Sequence, residues 1–107
     1  MGVDCSGFVQ TIYKVLGLRL KRDAWQQQEQ CVGFLEPEEA SMGDLAFFSN
    51  EANRIIHVGI VLTHQEIIHA SGKVRIDKLT KEGIINKETN ILTHKLHSIR
   101  KVIPQTP

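Results

Sequence analysis

Apolar side chains recur at Phe8, Val9, Ile12, Tyr13 and Leu16, the three- and four-residue spacing of a helix with one buried face. This pattern predicts a helix from about Ser6 to Leu16, closed by Gly17, which can take the positive φ that a helix C-terminus favours. Asp23 stands where an N-cap is wanted, so a second helix is predicted from about Ala24 to Cys31, ended by Gly33. Glu36-Pro37-Glu38-Glu39 reads as a solvated connection, because proline and adjacent carboxylates suit neither core nor strand.

After Gly43 the pattern changes. Leu45-Ala46-Phe47-Phe48 is a short apolar run of the kind that forms a buried strand, and Asn50 to Asn53 form a polar turn. Strands are predicted from about Ile55 to Leu62, Glu66 to Ala70 and Val74 to Leu79, with Ser71-Gly72-Lys73 as the turn between the last two. From Lys81 to Lys95 the signal weakens, with a short helix near Asn86 to Leu92, and Ser98 to Ile103 reads as a closing strand before Pro104. The strand connections are too short for parallel crossovers. The expected fold class is therefore α+β, an N-terminal helix packed on an antiparallel β-sheet.

Composition narrows the function. A chain of 107 residues, 41% hydrophobic and 23% charged, fits a single folded domain. Thirteen basic and twelve acidic residues leave a formal +1, and the basic ones are scattered, so no nucleic-acid partner is expected. No apolar run approaches 18 residues, so no membrane span is expected, and the N-terminus carries no signal-type segment. Cys5 and Cys31 form neither a disulfide framework nor a zinc-type pair, and Cys31 reads as a core residue.

Cys5 opens the first helix. A thiol is a strong nucleophile only as thiolate, and a helix N-terminus lowers a thiol pKa, so Cys5 reads as an activated nucleophile that should alkylate quickly near neutral pH. Such a nucleophile needs a base and a third group to hold that base in the useful tautomer. Two histidines lie in strands, His57 in His57-Val58-Gly59-Ile60 and His69 in Ile68-His69-Ala70-Ser71. Side chains alternate between sheet faces, so the two imidazoles share a face only across an odd-length loop. That reading pairs Leu62 with Glu66 across Thr63-His64-Gln65 and sets Gly59 against His69, where it leaves room for an imidazole.

Asp4-Cys5-Ser6-Gly7-Phe8-Val9, Arg22-Asp23-Ala24 with Gln27 and Gln28, Gly43-Asp44-Leu45, His57-Val58-Gly59-Ile60 and Ile68-His69-Ala70-Ser71 occur in this order. The set resembles the NlpC-type cell-wall cysteine peptidases and covers most of the chain. The resemblance implies a papain-like core, circularly permuted so that the nucleophile helix precedes the histidine-bearing sheet. It implies hydrolysis of peptidoglycan stem peptides, typically between D-glutamate (through its γ-carboxyl) and an L-diamino acid, by Cys5 as nucleophile, His57 as base and His69 as orienting residue. It implies that Asp4 and Ser6 contact the free amine of the stem peptide, and that no metal or organic cofactor takes part. The family's Tyr-x-Trp-Gly-Gly-like segment upstream of the cysteine is not in this sequence. The expectation is thus a single catalytic domain over residues 1–107 that lacks its N-terminal part, from a bacterial, extracytoplasmic or cell-wall-associated parent with targeting domains. The rival expectations are a non-catalytic fragment of such a domain and a thiol acyltransferase on the same core.

The remaining candidates read as structural. Asp44 suits a turn that bonds its own backbone, His64 an exposed hairpin tip, and Trp25 a cleft wall or a partly buried contact with the first helix. His94 and His97, three apart, permit one helical face, and without a thiolate or carboxylate at ligand spacing they predict no metal site.

Overall fold

Asp4 starts the first helix by accepting a hydrogen bond from the Gly7 N–H at 2.7 Å. The computed structural model of the protein describes residues 4–102. Helix α1 spans Cys5–Val15 and closes through Gly17, at φ +87, with Gly17 N–H donating to Lys14 and Leu18 N–H to Tyr13. Helix α2 spans Ala24–Gln30. Cys31 lies just past its end, opening the two-residue strand β1 (Cys31–Val32), and is buried as expected.

The strands that follow are β2 (Leu45–Ser49), β3 (Ile55–Thr63), β4 (Glu66–Ser71), β5 (Lys73–Leu79), β6 (Gly83–Ile85) and β7 (Leu92–Val102). Every pairing is antiparallel, in the order β1-β7-β2-β3-β4-β5-β6, and β6 pairs back onto β7. Six strands therefore close into a ring, which removes their free edges. Each of those six strands contributes to one core cluster, which includes Ala46, Phe48, Val61, Ile67, Leu79, Ile84 and Ile99 and fills the inside of the ring. A second cluster joins Val9 and Tyr13 of α1 and Ala24 of α2 to Leu45, Phe47, Val58 and Ile60 on the outer face. The α+β class, with α1 packed on an antiparallel sheet, is as the pattern predicts.

Three local expectations are corrected. No helix forms near Asn86 to Leu92. Asn86 instead makes a turn, its side chain accepting from the N–H groups of Glu88 and Thr89, and Asn90 follows at φ +61. Such local bonds compete with helix formation. Strand β7 begins at Leu92 rather than Ser98, with its register shift falling between Phe47 and Phe48 of β2. Its last expected residue, Ile103, lies outside the described residues. At Gly83 the pairing of β6 with β7 is so close that a Cβ would sit 1.7 Å from the carbonyl oxygen of His94.

The third correction concerns the β3–β4 turn. Thr63, not Leu62, faces Glu66, so only His64 and Gln65 form the turn. Leu62 is the extra residue of a bulge between Val61 and Thr63. Two turn residues and one bulged residue shift the register as a three-residue loop would. The face relationship between β3 and β4 survives by a different route, without a residue of positive φ at the hairpin tip.

Candidate active site

Cys5 is the first residue of α1, and its Sγ lies 4.0 Å from the carbonyl oxygen of Ile56 on β3. Ile56 is itself bulged: Phe48 faces His57 and Ser49 faces Ile55, which leaves Ile56 unpaired with β2. The sulfur thus rests against the stretch of β3 that carries His57. Among the described residues no hydrogen bond joins Sγ to an imidazole; its partner is the Ile56 carbonyl.

The Cys5 pKa corrects the expectation of an activated thiol. Burial pushes the thiol up, and the neighbouring Asp4 carboxylate adds to the rise, while backbone N–H groups of Val58 and Ser6 pull it down less strongly. The helix N-terminus is occupied by Asp4, whose carboxylate caps Gly7 and puts a negative charge beside the sulfur. Burial and that charge together outweigh the pull of the N–H groups at the helix start. The resting sulfur is a neutral thiol.

His57 and His69 converge inside the ring, with His57 Nε2 2.8 Å from His69 Nδ1. Gly59 makes this approach possible. A Cβ there would lie 3.0 Å from the His69 Cβ and 2.7 Å from Ile67 Cδ1. His69 is 1% exposed, and its Nε2 lies 2.8 Å from Oδ2 of Asp77, which is 2% exposed.

Asp77 settles the protonation of both rings. Burial opposes its charge, but bonds from Arg75, from His69 and from the Lys87 N–H outweigh it and hold the carboxyl down at about 2. A carboxylate only accepts, so neutral His69 donates from Nε2 and keeps a lone pair on Nδ1. That lone pair accepts the proton on His57 Nε2. Neutral His57 is left with its lone pair on Nδ1, a nitrogen with no hydrogen-bond partner among the described residues. Burial, then the charges of His94 and His69, pull the His57 pKa down to about 3, so the ring is neutral at pH 7. The sequence reading missed Asp77. The signal was the turn Ser71-Gly72-Lys73, whose odd length puts Asp77 and Leu79 on the face of His69.

His94 is the second residue that sequence reading misplaced. It lies on β7, not on a helix shared with His97, and its ring stacks on His57 at 4.0 Å between centroids and 20° between planes. Phe48 contacts both rings, at 5.7 Å from His57 and 6.0 Å from His94 between centroids. His64 is exposed at the hairpin turn, Asp44 accepts from the Ser41 N–H at 2.9 Å, and Trp25 is 51% exposed.

Asp4 and Ser6 sit beside the thiol, tied together by Arg22. The guanidinium Nη1 donates to Asp4 Oδ1 at 3.1 Å and to Ser6 Oγ at 3.0 Å, while Nη2 reaches Oδ2. Asp4 remains more than half exposed. Gln27 of α2 donates from its side-chain amide to the carbonyls of Ser6 at 3.0 Å and Lys21 at 2.8 Å, fixing the second helix against the start of the first.

The family model of the NlpC/P60 family matches residues 1–93. The chain belongs to the NlpC/P60 family. A γ-D-glutamyl-L-lysine dipeptidyl-peptidase of Bacillus cereus is 34% identical over 91 residues, 80% of this chain and 27% of that protein. The murein DD-endopeptidase/LD-carboxypeptidase MepS of Escherichia coli is 35% identical over 91 residues, 83% of this chain and 43% of that protein. The chain thus spans well under half the length of these curated relatives. Among solved structures, an NLP/P60 lipoprotein-like protein of Staphylococcus aureus superposes with a TM-score of 0.75 at 30% identity, covering 95% of this chain and 32% of that one. RipD of Mycobacterium tuberculosis, described as a non-catalytic NlpC/P60 domain protein adapted to peptidoglycan binding, matches with a TM-score of 0.64 at 25% identity, covering 90% of this chain and 66% of that one.

Proposed function

We propose that this NlpC/P60 domain is a cysteine peptidase that hydrolyses peptidoglycan stem peptides, at the bond between the γ-carboxyl of D-glutamate and an L-diamino acid. The observation that carries the reading is the bonded series Asp77–His69–His57, which leaves an unbonded lone pair on a ring carried by the strand against which Cys5 rests. Similarity to peptidoglycan hydrolases of B. cereus and E. coli supports the substrate class. The core is read as papain-like and circularly permuted, and the parent protein as acting outside the cytoplasm.

The proton inventory follows from the tautomers. His57 Nδ1 takes the Cys5 proton as sulfur attacks the scissile carbonyl, which converts a neutral thiol and imidazole into an attacking thiolate and an imidazolium. The Cys5 backbone N–H, at the first residue of α1, is the candidate donor to the oxyanion, a role worth about 3 kcal/mol of barrier. Imidazolium His57 then protonates the leaving amine of the diamino acid. Water, deprotonated by the same ring, releases the γ-glutamyl product and restores the thiol. His69 holds His57 in the useful tautomer throughout, and Asp77 holds His69. Asp4, with Ser6, receives the ammonium of the stem peptide by charge-assisted bonds.

A domain that holds stem peptides without cutting them is the second reading, favoured by the structural similarity to RipD. Incubation with the tripeptide L-Ala-γ-D-Glu-L-diaminopimelate or its L-Lys form, with products read by mass spectrometry, separates the two. Release of the free diamino acid, lost in Cys5→Ala, is expected. Binding of the tripeptide with no release at any pH overturns the peptidase reading.

A further inference from the structure

Arg75 and His69 face each other across β5 and β4, and both lie on the sheet face that carries Asp77. Arg75 grips that carboxylate from the side, donating from Nε to Oδ2 at 2.7 Å and from Nη2 to Oδ1 at 3.3 Å. The Lys87 N–H, from the connection between β6 and β7, adds a bond to Oδ1 at 3.1 Å. Asp77 Oδ2 thus accepts from the guanidinium and from the His69 imidazole together. Arg75 is 19% exposed, so solvent screens the ion pair only weakly. Its Nη2 also reaches Glu88 Oε1 at 3.4 Å, and Glu88 is exposed. The series Asp77–His69–His57 therefore ends at an ion pair, not at a bare carboxylate.

We propose that Arg75 is a positioning residue of the proposed peptidase: its guanidinium cancels the Asp77 charge, keeps His69 neutral and so holds His57 in the tautomer that takes the Cys5 proton. The link to catalysis rests on the proposed function; the charge balance rests on the geometry. A buried carboxylate bonded to an imidazole favours the imidazolium. A guanidinium is always charged, and on the far side of the same carboxylate it opposes that effect. The groups that face His69 are His57 from β3, Asp77 and Arg75 from β5, and His94 from β7, its ring centroid 5.6 Å away. Glu88 and the Lys87 N–H act on it through Arg75 and Asp77. Burial first, then the Arg75 charge, hold the His69 pKa down, against Asp77, which raises it. Charging His69 would disable the base. His69 would gain a proton from solvent on Nδ1 and donate from both nitrogens, so His57 Nε2 would have to accept. The His57 proton would pass from Nε2 to Nδ1, the nitrogen assigned to the Cys5 proton.

The test follows His69 by imidazole ¹⁵N NMR from pH 8 to pH 4, beside the pH profile of kcat/KM for the stem tripeptide. Arg75→Gln keeps a donor for Asp77 and removes the charge. The His69 titration midpoint should rise in this variant by about one pH unit, a tenfold gain in proton affinity. The acid limb of kcat/KM should move up with it. Arg75→Lys keeps the charge and should return both to the values of the parent. A merely structural Arg75 would lower activity by the same factor at every pH, and that result, or an unmoved His69 midpoint in Arg75→Gln, overturns the proposal. So does imidazolium as the main form of His69 in the parent at about pH 6.5, the ordinary histidine value, a result that needs no variant to fold. A protein that cuts no tripeptide at any pH counts against the proposed function instead, and the His69 titration still decides the charge balance.

Discussion

His57 Nε2 lies 2.8 Å from His69 Nδ1 although a two-residue turn separates their strands, an even number that alone would send the two rings to opposite faces. The bulge at Leu62 restores the shared face. A deletion of Leu62 that keeps the turn should therefore separate the imidazoles and abolish hydrolysis. Loss of the His57–His69 coupling in imidazole NMR spectra would register the change independently of activity.

Asp77 sets the tautomers of both rings, so its removal should slow chemistry more than binding. Asp77→Asn is expected to lower kcat by roughly 10- to 100-fold with little change in KM, the scale set by small misplacements of a catalytic group. A purely structural role would instead lower the melting temperature and leave kcat of the folded fraction intact.

The Asp4 carboxylate raises the Cys5 pKa and binds Arg22. Asp4→Asn keeps an N-cap of equal quality, removes the negative charge beside sulfur and leaves Arg22 free to favour thiolate. Alkylation of Cys5 by iodoacetamide at pH 8 should therefore be faster in Asp4→Asn than in the parent. KM for a stem peptide with a free amine should rise in the same variant. A slower or unchanged alkylation rate would contradict the electrostatic account.

Stability should fall with acid. The pKa of His57 is held down at about 3, and those of His69 and His94 are also lowered, in each case by burial first. These groups bind protons more readily in the unfolded chain, so their contribution is complete above about pH 6.5 and is lost as pH drops below it. The loss attributable to His57 continues down to about pH 3, approaching 1.4 kcal/mol for each pH unit. Denaturant midpoints measured from pH 7 to pH 4 check this, and His57→Gln should flatten the slope.

Gly59→Ala should cost about 1–3 kcal/mol, since a methyl there meets Ile67 and the Cβ of His69 rather than open space. Activity should fall with stability, because the displaced neighbour is one of the two coupled rings. A melting temperature equal to the parent's would show that β4 yields without strain.

Most of the strands were legible because alternation and turn residues agree: Leu45–Phe48 and the Asn50–Asn53 turn lie where the pattern puts them, and the turn expected over Ser71-Gly72-Lys73 is tighter, with Ser71 and Lys73 paired in β4 and β5 about Gly72. The region from Lys81 to Lys95 was not. Its strand β6 is three residues long, and Asn86 and Asn90 build a turn whose bonds are local and leave no periodic trace. His94 was misread for the same reason, because its partners His57 and His69 come from strands distant in sequence. The convergence of His57 with His69 could be read from parity, but the bulge that achieves it could not. The charge state of Cys5 could not be read from its helix position alone, since the residue before it supplies both the cap and the opposing charge.

The tautomer series underlies the base assigned to the peptidase. Imidazole ¹⁵N NMR of the protein at pH 7 measures it directly. The account requires the proton on Nε2 of His57 and on Nε2 of His69. A proton on Nδ1 of His57, or a charged imidazolium at that position, would contradict it.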